Sequence, residues 1–210
     1  MDHLNKLRFN CKRCGNCCSD KNTLINLTYR DILRISKGLN LDLKELIDVI
    51  GFFIFEKELS RKGLKKMVIS PIKTEKGLAF VGLLKNKLGE CYFYDKKNKK
   101  CLIYSIRPMF CRTFPFSFDK SINENRNPEK EIRFFYTEKA KLYCTGIKGD
   151  APIINKENLL ALAKKTLREL NENTIFNEIW NKNVKSGHET SSVKKFLKRI
   201  LRVENSNKKN

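Results

Sequence analysis

Residues 11–18 read CKRCGNCC, and this octet decides how the rest of the chain has to fold. It carries Cys11, Cys14, Cys17 and Cys18, half of the 8 cysteines in 210 residues. Two-residue gaps let successive thiolates converge on one small object, a metal ion or an iron–sulfur cluster. The other four, Cys91, Cys101, Cys111 and Cys144, lie far along the sequence. Only a chain that folds back on itself can complete what the octet begins.

Working outward, residues 26–40 (NLTYRDILRISKGLN) follow the octet. Thr28 with Asp31 three residues on predicts a capped helix start, and Tyr29, Ile32, Leu33 and Ser36 fall on one face. Asp42 with Glu45 predicts a second helix, whose stripe is Leu43, Leu46, Ile47 and Ile50, with Gly51 as its weak point or a close packing contact. From residue 63 the period changes. MVISPI (67–72), LAFVGLL (78–84) and CYFYD (91–95) are short, β-branched and aromatic, and predict a small antiparallel sheet whose third strand opens at Cys91. Cys101 follows the polar turn DKKNKK, and residues 103–116 (IYSIRPMFCRTFPF) predict a helical turn and then an extended loop, punctuated by Pro108 and Pro115. Residues 119–130 read as a polar loop, 131–137 as a strand and 144–146 as a turn. Asn155 caps a helix through Leu159, Leu160, Ala163, Leu167 and Leu170, continued by Ile175, Phe176, Ile179 and Trp180 after a bend near Asn173. Beyond Gly187, Val193, Phe196, Leu197, Ile200 and Leu201 form the stripe of a last helix, whose polar face is basic. NSNKKN (205–210) reads as a disordered tail.

The fold class expected is therefore α+β: N-terminal helices, a small antiparallel sheet, cysteine-rich metal-binding loops and a helical C-terminal region. The expected division is a cysteine-cluster domain over 1–150 and a helical extension over 151–210.

Composition narrows the setting. MDHLNKLRFN has no apolar core before Cys11, and Leu46–Phe55 is too short to span a bilayer, so a soluble cytoplasmic protein without a transmembrane segment is expected. In that compartment clustered thiols favour metal over disulfides. The formal net charge is +21, but Lys outnumbers Arg 32 to 12, a pattern that fits a lysine-rich solvated surface as well as a binding face. Nucleic acid is thus a partner allowed but not favoured; a protein or small-molecule partner stays unidentified.

The ligand set is open at this point. A zinc ribbon wants a second CxxC pair, which is missing. His3 and His188 stand at opposite ends. Cys11, Cys14 and Cys17 match the start of a ferredoxin run, but Cys18 follows at once and no proline succeeds it. Eight thiols suffice for two four-cysteine sites, or for one cluster with spare thiols. Arg107 and Arg112 flank Cys111 and are candidate cofactor-binding residues, placed to hydrogen-bond cluster sulfur or an anionic ligand.

The octet, the cysteine in CYFY and the run CLIYSIRPMFCRTFPF together resemble the CxxCxxCC cysteine-cluster family. The matching positions are Cys11, Cys14, Gly15, Cys17, Cys18, Cys91, Cys101, Tyr104, Arg107, Pro108, Cys111, Arg112 and Pro115, within about residues 9–150. The resemblance implies zinc or iron chelation, and some relatives are linked to lysine N-methylation of flagellin with an iron–sulfur cluster. No glycine-rich loop of a nucleotide-type methyl donor site accompanies it. The reading favoured is an iron–sulfur protein, of the [4Fe–4S] type, with redox or cluster-assisted chemistry. A structural zinc module with a basic binding surface is the alternative, and protein lysine N-methylation a third. Whether the chain is an enzyme is left open.

Overall fold

The computed structural model describes residues 7–55, 67–120 and 132–207. The chain is α+β. A short helix α1 (Asn16–Ser19) lies within the octet and its flank, followed by α2 (Tyr29–Leu39) and α3 (Leu43–Ile47). Both predicted capping boxes form: the Thr28 hydroxyl accepts from the Asp31 amide at 3.1 Å, and the Asp42 carboxylate from the Glu45 amide at 2.9 Å.

The expected second helix is shorter than its apolar stripe. It ends at Ile47, and Ile50–Ile54 becomes strand β1. The physical reason lies in its partner. IGFFI pairs antiparallel with β3 (Gly77–Leu83), from Ile50 opposite Leu83 to Ile54 opposite Ala79, and these cross-strand side-chain pairs outweigh one more helical turn. Gly51 is a close approach, since a Cβ there would stand 2.6 Å from the Phe53 ring.

Strand β2 (Ile72–Thr74) completes the sheet in the order β1-β3-β2. Only Ile72 of MVISPI is in it. The carbonyls just before and within this strand are taken by side chains of a long helix, α6 (Lys156–Lys185). Asn177 donates to the Ser70 carbonyl at 2.7 Å, Asn181 to that of Pro71 at 2.9 Å, and the Trp180 indole to that of Lys73 at 2.9 Å. Thus a helix face closes one edge of the sheet.

Residues 91–95 do not supply the third strand expected of this sheet. Cys91 makes an isolated bridge with Lys85, and only β4 (Tyr94–Asp95) pairs, with β5 (Lys100–Cys101), as a separate two-stranded ladder. After a 3₁₀ turn at Tyr104–Ile106 comes α4 (Met109–Thr113). The segment after it, read as an extended loop, is strand β6 (Phe116–Lys120), paired with β7 (Ile132–Tyr136). Most of the polar loop expected over 119–130 lies outside the described residues. Helix α5 (Glu138–Tyr143) and a 3₁₀ turn (Thr145–Ile147) lead to α6, which runs unbroken through Asn173. The last helix, α7 (Val193–Asn207), extends into the tail read as disordered; 208–210 lie outside the described residues.

Two apolar clusters hold this together. In the larger, Trp180, Phe196, Leu197 and Ile200 of the last two helices interleave with Leu27, Ile32, Ile35, Leu46 and Ile72. The later part of α6 and α7 therefore share a core with the N-terminal helices and sheet. The smaller cluster, with Phe116, Phe134, Leu159 and Ala163, packs the β6–β7 hairpin on the start of α6. Among the described residues, no helix is long and apolar enough to cross a membrane.

Candidate metal centre

The octet is placed by backbone contacts with remote chain. The Phe9 amide donates to the Pro152 carbonyl (3.1 Å) and the Asn10 amide to that of Gly146 (2.9 Å), which sets Cys11 alongside the turn that carries Cys144. Gly15 caps α1 with a left-handed φ of 81°, and a Cβ there would lie 2.6 Å from the Tyr94 ring. Its carbonyl accepts from the Cys18 amide at 2.8 Å, and Cys18 in turn accepts the Cys91 amide at 2.8 Å. Asn16 ties α1 to the Tyr143 carbonyl at 2.9 Å. Cys101 arrives on β5 and Cys111 on α4.

All eight cysteines are free, and all eight line one cavity of about 680 Å³. The Sγ atoms of Cys17 and Cys18 are 4.0 Å apart. As placed, among the described residues, no group of three or more His, Cys, Asp or Glu side chains already stands at single-ion spacing. The donor set nonetheless fits a thiophilic metal group: eight sulfurs face a space far larger than one ion.

The thiols differ electrostatically. A hydrogen bond from Cys18 pulls Cys17 down to about 7 and Cys101 to about 6, with the Arg107 guanidinium assisting at both. Cys18, as donor to both, is pushed up. Burial raises Cys91 to about 11 and raises Cys111 and Cys144 as well. Cys17 and Cys101 are thus the thiols whose surroundings most favour the thiolate, the form that binds metal.

The two flanking arginines part company. Arg107 is on the cavity wall; its Nε donates to the Tyr104 carbonyl at 3.0 Å, and its guanidinium lies 3.8 Å from that ring's centroid. Arg112 is not on that wall. Its Nη2 donates to both oxygens of Glu169 on α6, at 3.1 and 3.3 Å, while Arg34 bonds the same carboxylate at 3.0 Å and also pairs with Asp31. Asp31, fully buried, accepts the Met109 amide at 2.8 Å. This network holds α4, and Cys111 with it, from behind.

Sequence reasoning missed other groups around the thiols. Lys12, Arg13 and Lys139 line the cavity, and among the described residues no Asp or Glu does. The first two stand inside the octet, where their charge was legible. Asp20, next to α1, accepts from Lys139 at 2.8 Å and from Tyr143 at 3.2 Å, and also from Thr23. Burial alone would raise its carboxyl, but these partners hold it well below the usual carboxylate range. His188 lies away from the cavity, hydrogen-bonded to Ser186 (2.6 Å), and His3 is outside the described residues.

The chain resembles an uncharacterised protein of Methanocaldococcus jannaschii, 31% identical over 116 residues that make up 55% of this chain and 48% of the relative. The chain thus spans about half the length of the curated relative it matches. No solved structure matches it. Residues 10–144, which include every cysteine, match a family described as a "Putative zinc- or iron-chelating domain". By its sequence from Asn10 to Cys144 the chain belongs to the CxxCxxCC family of metal-chelating proteins.

Proposed function

We propose that this chain holds an iron–sulfur centre of the [4Fe–4S] type in the thiol-lined cavity. One observation carries the reading: cysteines from five separate stretches of the sequence line a single space with room for a multi-atom inorganic core. The ferredoxin-like start at Cys11, Cys14 and Cys17 supports it, as does the positive charge of Arg107 beside Cys17 and Cys101. Such a centre would supply one-electron or cluster-assisted chemistry. The protein's own part is to fix α1 through Gly15, to hold Cys111 through the Arg112–Glu169 pair, and to keep acidic groups off the wall.

Anaerobic purification followed by iron and acid-labile sulfide determination tests this. Near-equal iron and sulfide, with a brown chromophore, is expected. A colourless protein with stoichiometric zinc and no sulfide removes the reading.

A structural zinc module is the second reading, and it too has an observation. The 4.0 Å between the Cys17 and Cys18 sulfurs is close to the roughly 3.8 Å edge of a tetrahedral zinc–thiolate site with bonds of about 2.3 Å. The same metal analysis separates the two. Under the zinc reading the basic surface becomes the working part, and binding to nucleic acid should fall steeply with salt.

A further inference from the structure

The cavity is larger than its thiols require, and the remainder has its own chemistry. Beyond the sulfurs its wall is mostly apolar, with Leu24, Ile25, Phe80, Phe110, Phe114 and Leu167. A volume of about 680 Å³ lies within the range of about 300–1,000 Å³ typical of small-molecule sites.

Two guanidiniums stand over one aromatic ring on this wall. Arg13 lies 4.3 Å and Arg107 3.8 Å from the Tyr104 centroid. Arg13 is held there by a backbone with φ 51°, a conformation non-glycine residues seldom adopt. Among the described residues neither guanidinium has a carboxylate partner. Arg107 at least assists the thiolates of Cys17 and Cys101; Arg13 has no anion comparable to these. An unpaired guanidinium on a wall where no described residue supplies a carboxylate is stabilised when an anion joins it.

A separate observation also points to a ligand. Asn26, on the same wall, has its side-chain oxygen buried with no hydrogen-bond partner. A buried acceptor left unmatched costs about 1–3 kcal/mol unless something donates to it.

We propose that the cavity takes, beside the thiols, a small organic anion. Its carboxylate or phosphate pairs with the Arg13 guanidinium, its apolar body lies along the aromatic wall, and a donor group reaches the Asn26 oxygen. This goes beyond the metal reading and holds whichever metal the thiols bind.

The test uses full-length, anaerobically purified protein and two fluorescent probes with the same body. 1-Anilinonaphthalene-8-sulfonate carries an anion and an N–H; N-phenyl-1-naphthylamine carries the N–H alone. The first is expected to bind about tenfold more tightly, the worth of one charge-assisted contact. Arg13→Gln, an exposed position, should remove that advantage while leaving the neutral probe unchanged. Asn26→Leu should weaken both probes several-fold without lowering the melting temperature. Displacement of the anionic probe by phenylacetate or by phenyl phosphate identifies the headgroup. Equal affinity for the two probes in the wild type, or an unchanged anionic probe in Arg13→Gln, overturns the proposal, as does failure of both competitors. Metal and sulfide measured on every variant keep this outcome separate from the metal reading. A fall in metal content of Arg13→Gln with probe binding intact would mean the clamp serves the centre alone, and the proposal fails.

Discussion

Around Trp180 the polar groups that leave water are matched: the indole donates to Lys73, and Asn173, Asn177 and Asn181 bond the backbone of α2 and the β2 edge. The cavity wall gathers eight cysteines and four cations, with no carboxylate among the described residues, and leaves the Asn26 oxygen unmatched. The first region is complete as folded. The second is built for something the chain does not itself provide. The difference separates residues that make the fold from residues that await a ligand, and the Glu169 network is the place where the two meet.

The largest expected effect is on the matched side. Trp180 is fully buried against Phe196, so Trp180→Ala should cost about 3–5 kcal/mol in urea unfolding. Metal bound per folded molecule should not change; if it falls, the two regions are not independent. Glu169→Ala comes next. It strands Arg34 and Arg112, whose side chains keep 22% and 23% exposure, so about 3 kcal/mol is expected, the low end for breaking a buried pair. Because Cys111 rides on the same short helix, metal affinity should drop as well, and an unchanged affinity would show that α4 needs no support from behind.

Gly15→Ala sharpens the contrast from the cavity side. A residue with a Cβ at φ 81° costs about 1–2 kcal/mol and collides with the Tyr94 ring. Thermal melting should shift modestly while metal content falls sharply. The smallest effect is that of Asp20→Asn. The Asp20 carboxyl is depressed in the fold, so its contribution is full above the ordinary carboxylate pKa of about 4 and is lost as pH falls through the lower folded value. The difference in melting temperature between wild type and variant should therefore be present at pH 7 and shrink toward pH 3. A difference that does not depend on pH would mean that shape, not charge, holds Lys139 there.

Some of this was legible in one dimension because the signals are local. Thr28 with Asp31 and Asp42 with Glu45 each complete a cap within one turn, and both formed. The stripe on the last helix placed Phe196, Leu197 and Ile200 in the core. Where the partner is remote, local signals misled. Ile50 looked like the end of a helical stripe but opens a strand, because LAFVGLL, some thirty residues on, offered an edge. CYFYD looked like a sheet strand, yet Cys91 is held by the Cys18 carbonyl instead. Arg107 and Arg112 were indistinguishable by composition. Their separation depends on Glu169, a residue of α6 that no spacing rule connects to the arginine–proline loop.

By itself the sequence determined that this is a thiol-rich chelating chain with capped helices and short strands, since residue type and near-neighbour spacing set thiol chemistry and the first turn of a helix. Only the tertiary structure decided that all eight sulfurs share one wall, that Arg13 joins Arg107 there while Arg112 turns to Glu169, and that the C-terminal helices belong to the central core. Such outcomes rest on contacts between segments remote in the sequence, 57 residues apart for Arg112 and Glu169 and 107 for Trp180 and Lys73, whose energies exist only once the chain has closed on itself.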